Sequence, residues 1–170
     1  GVHLEGKIID VIEKIDGKLI IDAAANVPDS IIISDPNFPA SKDPHCWFDT
    51  ELVQFIVGDI AQQLSAAYPS SASQVQSATV NYQQEILTTS DSVQKIIERI
   101  IPEQRLVITT HDALSYFART FGMRVRSLQG ASTVSEFGLR EITELVDFIC
   151  ENKVPAIFLE NIVSPQAMES

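Results

Sequence analysis

Apolar residues recur every three or four positions near the start of the chain, which is the spacing of one face of an α-helix. Residues 3–15 are therefore predicted to be an amphipathic helix, which should end at Gly17. The next residues, 18–23, have the composition of a short strand. Residues 24–44 contain four prolines among small polar residues, so we expect irregular chain there.

Two further helices are predicted in the middle of the chain. The first should begin after Asp49, a favourable N-cap residue, and stop before Pro69. The second covers residues 71–100, which contain neither glycine nor proline. Its apolar positions follow a seven-residue pattern and are Val75, Tyr82, Ile86, Val93, Ile97 and Ile100. Such a helix is about 45 Å long, and its length leaves open whether it joins two lobes as a strut or packs along one compact domain.

After Pro102 the pattern changes to alternating strands and helices. The predicted strands are residues 105–110, 123–128 and 155–160. The predicted helices are residues 113–121 and the segment that follows a capping box at 133–136. This alternation is typical of a parallel sheet covered by helices.

The composition narrows the classes of partner. Lys plus Arg number 12 against 23 Asp plus Glu, a formal net charge of −11, which argues against nucleic acid or an anionic membrane as a partner and favours cations. Two cysteines, Cys46 and Cys150, exclude a disulfide scaffold. The sequence also allows one disulfide between them, but we favour two isolated buried thiols. The chain starts within a predicted helix and stops just after a predicted strand, so we expect an internal piece of a longer protein.

Two histidines are the leading candidates for chemistry, and the first is His111. It directly follows the first strand of the predicted sheet, and Glu160 lies at the same end of the third strand. Ligands of open α/β sheets bind outside the carboxyl ends of the strands. Asp112 is expected to orient an imidazole by accepting its second N–H. The alternative for a single histidine at this position is a hydrogen-bonded loop residue.

The second candidate, His45, lies in the sequence DPHCWFD, directly before the first of the middle helices. Pro44 restricts the backbone, so the imidazole is presented from a stiff turn. Trp47 and Phe48 are expected to cover the site from below. The alternative is an ordinary helix start with aromatic core residues. We interpret Cys46 as a small buried side chain rather than a thiolate ligand, because adjacent residues seldom reach one ion.

Taken together, these segments resemble the TroA-like family, the metal-binding solute-binding proteins of ABC importers for zinc, manganese and iron. The matching segments are GVHLEGK at 1–7, DPHCWFD at 43–49, TTHDALSYFARTFGMRV at 109–125, LQGASTVSE at 128–136 and KVPAIFLEN at 153–161. The resemblance implies that His45 is a metal ligand from the first lobe and His111 a ligand from the second. It also implies two ligands outside this chain, a histidine upstream of GVHLEGK and a carboxylate beyond residue 170. His3, which we interpret as a surface or packing residue, matches a non-ligand position.

The fold that the resemblance implies is α/β and two-lobed, with parallel sheets, covering helices and one long helix that joins the lobes. This chain would be incomplete at both ends of that fold. Residues 1–70 would be the end of the N-terminal lobe, residues 71–101 the connecting helix and residues 102–170 the first part of the C-terminal lobe. The resemblance therefore favours the strut for the long helix.

The resemblance implies an extracytoplasmic protein, periplasmic or extracellular and membrane-anchored, that captures divalent Zn, Mn or Fe and delivers it to the membrane permease of an ABC importer. No HExxH, GxSxG or GxGxxG motif occurs, so we expect binding and not catalysis. Two rivals stay open: a surface adhesin or interaction module with a structural metal and, less favoured, a metal-dependent hydrolase with Glu160 as general base. The absence of histidine from residues 23–43 argues against a dedicated zinc-scavenging role.

The resemblance also leads to expectations about the chain by itself. Because it would hold two of four ligands, we expect no fully coordinated metal. His45 and His111 then need not face each other. The intact protein is expected to be a monomer, whereas exposed strand edges can pair this chain with another copy.

Overall fold

The computed structural model describes residues 8–12, 14–34, 42–129, 138–154 and 156–158 of the chain. Within these residues the α-helices are α1 (Ile9–Ile12), α2 (Thr50–Ala67), α3 (Ala72–Ile97), α4 (Ser115–Phe121) and α5 (Leu139–Asn152). The strands are β1 (Leu106–His111) and β2 (Arg124–Gln129). None of the described helices is both long and apolar enough to cross a membrane.

Several positions singled out in the sequence lie outside the described residues. They are His3 and the rest of the GVHLEGK segment, the capping box at 133–136 and Glu160. The predicted first helix is therefore described only in part, as α1. Helix α1 ends at Ile12, and residues 14–16 are turn or irregular chain, so the prediction that the helix runs to residue 15 is wrong. Gly17 has a φ of 69°, a left-handed conformation that costs glycine little.

The predicted strand at residues 18–23 is wrong. Most of this segment has no regular secondary structure, and it runs into a turn at residues 23–26. In this turn the Asp22 carboxylate accepts the N–H of Ala24 at 3.1 Å. No strand in the described part of the chain pairs with the segment. A strand needs a hydrogen-bonded neighbour, so its local composition is not sufficient to form one.

Helix α2 begins and ends where the sequence predicts. Oδ1 of Asp49 accepts the N–H groups of Glu51 and Leu52 at 3.0 and 3.1 Å, which satisfies two donors that have no acceptor within the helix. The helix ends at Ala67, ahead of Pro69. Both boundaries follow from local signals.

Helix α3 packs along α2 and also contacts α4. Its 26 residues span about 39 Å. Gln83 faces α2 and donates to the carbonyl oxygen of Gln54 at 3.2 Å, whereas Tyr82, predicted to belong to the apolar stripe, is 52% exposed. The prediction for Tyr82 is wrong: at this level of α3 the side chain that lies against α2 is Gln83, whose Nε2 is 3.8 Å from the position that a Cβ on Gly58 would take. That α3 joins two lobes stays a prediction.

The parallel sheet is confirmed in the described residues. Strands β1 and β2 are parallel, with His111 opposite Gln129 at one end. Helix α4 connects them and ends at Gly122, whose φ is 64°. On the other edge of β1, the N–H of Phe158 donates to the carbonyl oxygen of Ile108 at 2.8 Å and makes an isolated parallel bridge. The described part of the third predicted strand, residues 156–158, therefore lies beside β1.

Two apolar clusters hold these elements together. The first joins α2 and the segment before it to α4, and its buried members are Val27, Cys46, Leu52 and Tyr116. The second lies between the sheet and α5, and its buried members are Ile108, Leu128 and Leu145. Tyr116 belongs to the first cluster although α4 connects the strands of the sheet. Helix α4 therefore links the sheet to the first part of the chain.

Truncating Ile108 tests the second cluster. Its side chain is fully buried, so Ile108→Ala should lower the free energy of unfolding of the full-length protein by about 2–5 kcal/mol, measured by urea denaturation. Leu139→Ala is the control, because Leu139 is 80% exposed and its truncation should change stability by no more than about 0.5 kcal/mol. Equal effects of the two variants would show that this cluster is not a core.

Candidate metal centre

His111 is the last residue of β1 and lies at the carboxyl end of the sheet. It is 3% exposed. Its carbonyl oxygen accepts the hydroxyl of Thr109 at 2.7 Å and the N–H of Ala113 at 3.1 Å. The backbone that carries this imidazole is therefore fixed by the strand on one side and by a tight turn on the other. The sequence predicted His111 at this same edge of the sheet, but as the residue after the strand and not as its last residue.

His45 lies in the turn that leads into α2 and is 8% exposed. Oδ1 of Asp43 accepts the backbone N–H of His45 at 2.9 Å and lies 2.7 Å from Nδ1 of its ring. Residues Cys46–Phe48 then form a single 3-10 turn. With Nδ1 occupied by a carboxylate, the nitrogen of His45 available to a metal ion is Nε2.

The structure brings the two imidazoles together. Their ring centroids lie 5.4 Å apart, with an angle of 60° between the ring planes. The sequence left the mutual position of the two rings in this chain open, and in the structure they lie side by side in an edge-on arrangement. No third histidine, cysteine, aspartate or glutamate completes a metal-binding group with them among the residues that the structure describes.

Tyr116 is one reason why the two histidines meet. Its hydroxyl donates to the carbonyl oxygen of Asp43 at 3.0 Å and accepts the N–H of Ile33 at 2.9 Å. Burial is the main cause that raises the pKa of Tyr116 to about 12, so the phenol keeps its proton and donates it. Because α4 follows β1 closely, this residue ties the turn of His45 to the segment of His111.

Arg119, one helical turn after Tyr116, adds a second connection. Its Nη2 lies 2.8 Å from Oδ2 of Asp49, the carboxylate that caps α2. Its Nη1 donates to the carbonyl oxygen of Ile31 at 2.8 Å. The guanidinium also lies 5.0 Å from the centre of the Tyr116 ring. Helix α4 is thus held to the first part of the chain by two neighbouring side chains.

The aromatic residues of the DPHCWFD segment have different roles. Trp47 is 45% exposed, and its ring lies 5.3 Å from that of His45 in an edge-on arrangement. Phe48 packs against the first apolar cluster and lies 6.5 Å from Phe117 of α4. Trp47 therefore flanks the imidazole on a face that solvent reaches, while Phe48 is part of the core.

The two cysteines are unbridged, with Cys46 buried and Cys150 exposed. The prediction of a buried thiol is thus correct for Cys46 and wrong for Cys150. Burial raises the pKa of the Cys46 thiol, and the charges of Asp43 and Asp49 raise it further. A thiol that holds its proton in this way is a poor metal ligand, which supports its interpretation as a small core residue.

The prediction that Asp112 orients an imidazole is not supported. Both oxygens of its carboxylate accept the hydroxyl of Ser115, at 2.9 and 2.8 Å. Burial raises the pKa of Asp112, and the charge of Asp43 adds to the increase. Among the described residues, Asp43 is a carboxylate that contacts an imidazole, and the sequence did not single it out. A signal was available in the sequence, because an aspartate side chain in a turn often accepts the backbone N–H of the residue two positions later. In DPHCWFD that residue is His45.

The family of the chain follows from comparison with known proteins. The model of the ZnuA family, zinc-uptake complex component A, periplasmic, matches residues 1–170, and the chain belongs to this family. It is 35% identical over 175 residues to the manganese-binding lipoprotein MntA of Bacillus subtilis strain 168, covering 100% of this chain and 56% of MntA. It is 33% identical over 171 residues to the zinc-binding protein TroA of Treponema pallidum strain Nichols, covering 100% of this chain and 55% of TroA.

The fold is confirmed by the solved structure of the periplasmic zinc-binding protein TroA from Treponema pallidum. Its TM-score is 0.89 at 33% sequence identity, over 99% of this chain and 61% of that one. The α/β fold expected from the resemblance is therefore correct for the described residues. The chain spans about half the length of the curated relatives that it matches.

Removing the hydroxyl of Tyr116 tests the connection between α4 and the turn of His45. Tyr116→Phe leaves the carbonyl of Asp43 and the N–H of Ile33 without this partner, so the free energy of unfolding should fall by about 1–3 kcal/mol in urea denaturation. Tyr82→Phe removes the hydroxyl of an exposed tyrosine and should leave stability unchanged. An unchanged stability of Tyr116→Phe would contradict the role given to this hydroxyl.

Proposed function

We propose that this protein captures a divalent transition metal outside the cytoplasm and passes it to the membrane permease of an ABC importer. The observation that carries the proposal is the buried pair His45 and His111, whose ring centroids are 5.4 Å apart. These residues come from segments far apart in the sequence, and both are anchored by hydrogen bonds. Members of the family are binding proteins of metal transport, which supports binding and not catalysis as the role of the pair.

The donor atoms suit Zn²⁺, Mn²⁺ or Fe²⁺. Neutral imidazoles are ligands for all three, and two further donors, a histidine and a carboxylate outside this chain, would complete a nitrogen and oxygen site. The net charge of −11 raises the local concentration of cations. The names of the relatives include both manganese and zinc, which fits a site whose donors accept either metal.

Delivery to a permease requires that the loaded and empty proteins differ. In the proposed arrangement residues 1–70 end the N-terminal lobe, residues 71–101 connect the lobes and residues 102–170 begin the C-terminal lobe. A metal held by His45 and His111 would bind both lobes and stabilise one relative arrangement of them, which a permease can recognise. We propose that the intact protein works as a monomer, with the periplasm or the outer face of the membrane as its location.

Alanine variants of the two histidines test the proposal. Bound metal stabilises a protein by RT ln(1 + [L]/Kd), about 4 kcal/mol at a thousandfold excess over Kd. His45→Ala and His111→Ala should each remove most of the rise in melting temperature that zinc or manganese produces in the full-length protein. His3→Ala is the matched control and should retain the full rise. A full rise in the His111→Ala protein would refute the assignment.

The metal affinity of the 170-residue chain tests the proposed location of the other ligands. Each missing donor removes affinity and preorganisation, so titration calorimetry with zinc should show binding weaker by orders of magnitude than in the full-length protein. A tight stoichiometric site in this chain would instead mean that Cys46, Asp112 or Glu160 supplies donors. That result would overturn the proposed ligand set.

A further inference from the structure

We propose that Asp43 is a positioning residue for the metal site: its Oδ1 accepts the Nδ1–H of His45 and so directs Nε2 of this ring to the metal ion. This inference rests on the proposed function, because it assigns a role within the same site. It concerns a residue that contacts a ligand histidine and not the metal itself.

One carboxylate oxygen fixes both the backbone and the ring of His45. Oδ1 of Asp43 lies 2.9 Å from the backbone nitrogen and 2.7 Å from Nδ1 of His45. The proline between the two residues restricts the remaining backbone freedom. A ring whose backbone and Nδ1 are bound to the same atom cannot rotate without breaking a hydrogen bond, so the orientation of the imidazole exists before metal arrives.

Asp43 is itself held in place by both parts of the chain. Its N–H donates to the carbonyl oxygen of Ile33 at 2.8 Å, and its carbonyl oxygen accepts the hydroxyl of Tyr116 at 3.0 Å. The same hydroxyl accepts the N–H of Ile33 at 2.9 Å, which closes a ring of three hydrogen bonds. Since α4 carries Tyr116 and follows His111, Asp43 sets the position of one ligand relative to the segment of the other.

A purely structural role does not explain why a carboxylate, and not an amide, is buried at position 43. The residue is 1% exposed, and its second oxygen, Oδ2, accepts no hydrogen bond from the described residues. A carboxylate buried in this way is costly unless a positive charge compensates it. A divalent ion on Nε2 would place positive charge on the opposite side of the imidazole, and the carboxylate would stabilise it through the ring. An asparagine would serve the turn equally well but would not supply this charge.

The first experiment is spectroscopic and uses metal-free, full-length protein with ¹⁵N-labelled histidine. At mildly alkaline pH, where imidazoles are neutral, long-range ¹H–¹⁵N correlation spectra distinguish a protonated ring nitrogen from an unprotonated one. The His45 signals are assigned by their loss in His45→Ala. We expect a protonated Nδ1 and an unprotonated Nε2 in the wild type, and a shift of the proton towards Nε2 in Asp43→Ala. A wild-type His45 with its proton on Nε2 would overturn the inference.

The second experiment measures affinity with an isosteric variant. Asp43→Asn keeps the size and an acceptor oxygen but removes the charge. Changes of this kind next to ligating histidines typically cost about 10–100-fold in metal affinity, and we expect a loss of this size for zinc in competition with a chelator. Asp91→Asn is the control, because it removes the same charge from an exposed position of α3. Its affinity should equal that of the wild type.

The outcomes separate this inference from the proposed function. If Asp43→Asn binds zinc like the wild type, the contribution of the Asp43 charge is refuted; if Asp43→Ala also binds zinc like the wild type while His45→Ala does not, the positioning role is refuted and the metal site stands. If His45→Ala and His111→Ala both bind zinc like the wild type, the proposed function fails, and the role of Asp43 fails with it. If Asp43→Ala does not fold, the wild-type spectrum and the Asp43→Asn affinity still decide the question.

Discussion

The hydroxyl of Tyr116 is the contact on which the geometry of the site depends. It joins segments that are far apart in the sequence: it donates to the carbonyl oxygen of Asp43 and accepts the N–H of Ile33. Because Tyr116 follows His111 by only five residues, this hydroxyl ties the turn of His45 to the segment at the end of β1. The ion pair between Arg119 and Asp49 supports the same contact one turn later.

The site combines two kinds of rigid backbone. His111 stands at the end of a hydrogen-bonded strand, while His45 stands in a turn held by the Asp43 side chain. Hydrogen bonds of the protein itself hold both elements, which supports a preorganised pair. The proposed transport role also requires that metal be released. That demand is compatible with a site whose proposed ligands come from different segments and are joined by a few polar contacts around Tyr116.

The elements predicted most accurately were those with local boundary signals. Asp49 and Pro69 delimit α2, and Gly122 ends α4, because caps and left-handed glycines act within one turn of chain. The failures were of another kind. The segment 18–23 has strand composition but finds no partner strand in the described residues, and Tyr82 occupies an apolar position of the heptad yet is exposed. Both depend on neighbours that no local pattern specifies.

The sequence by itself determined the candidates: His45 in its proline-restricted turn, His111 at a strand end, and a resemblance that the family match confirms. It did not determine that the rings would lie 5.4 Å apart or that Asp43, and not Asp112, would contact an imidazole. Those features depend on Tyr116, which is separated from Asp43 by 73 residues. A hydrogen bond between such distant positions exists only after α4 has packed against the first apolar cluster, so only the tertiary structure decided it.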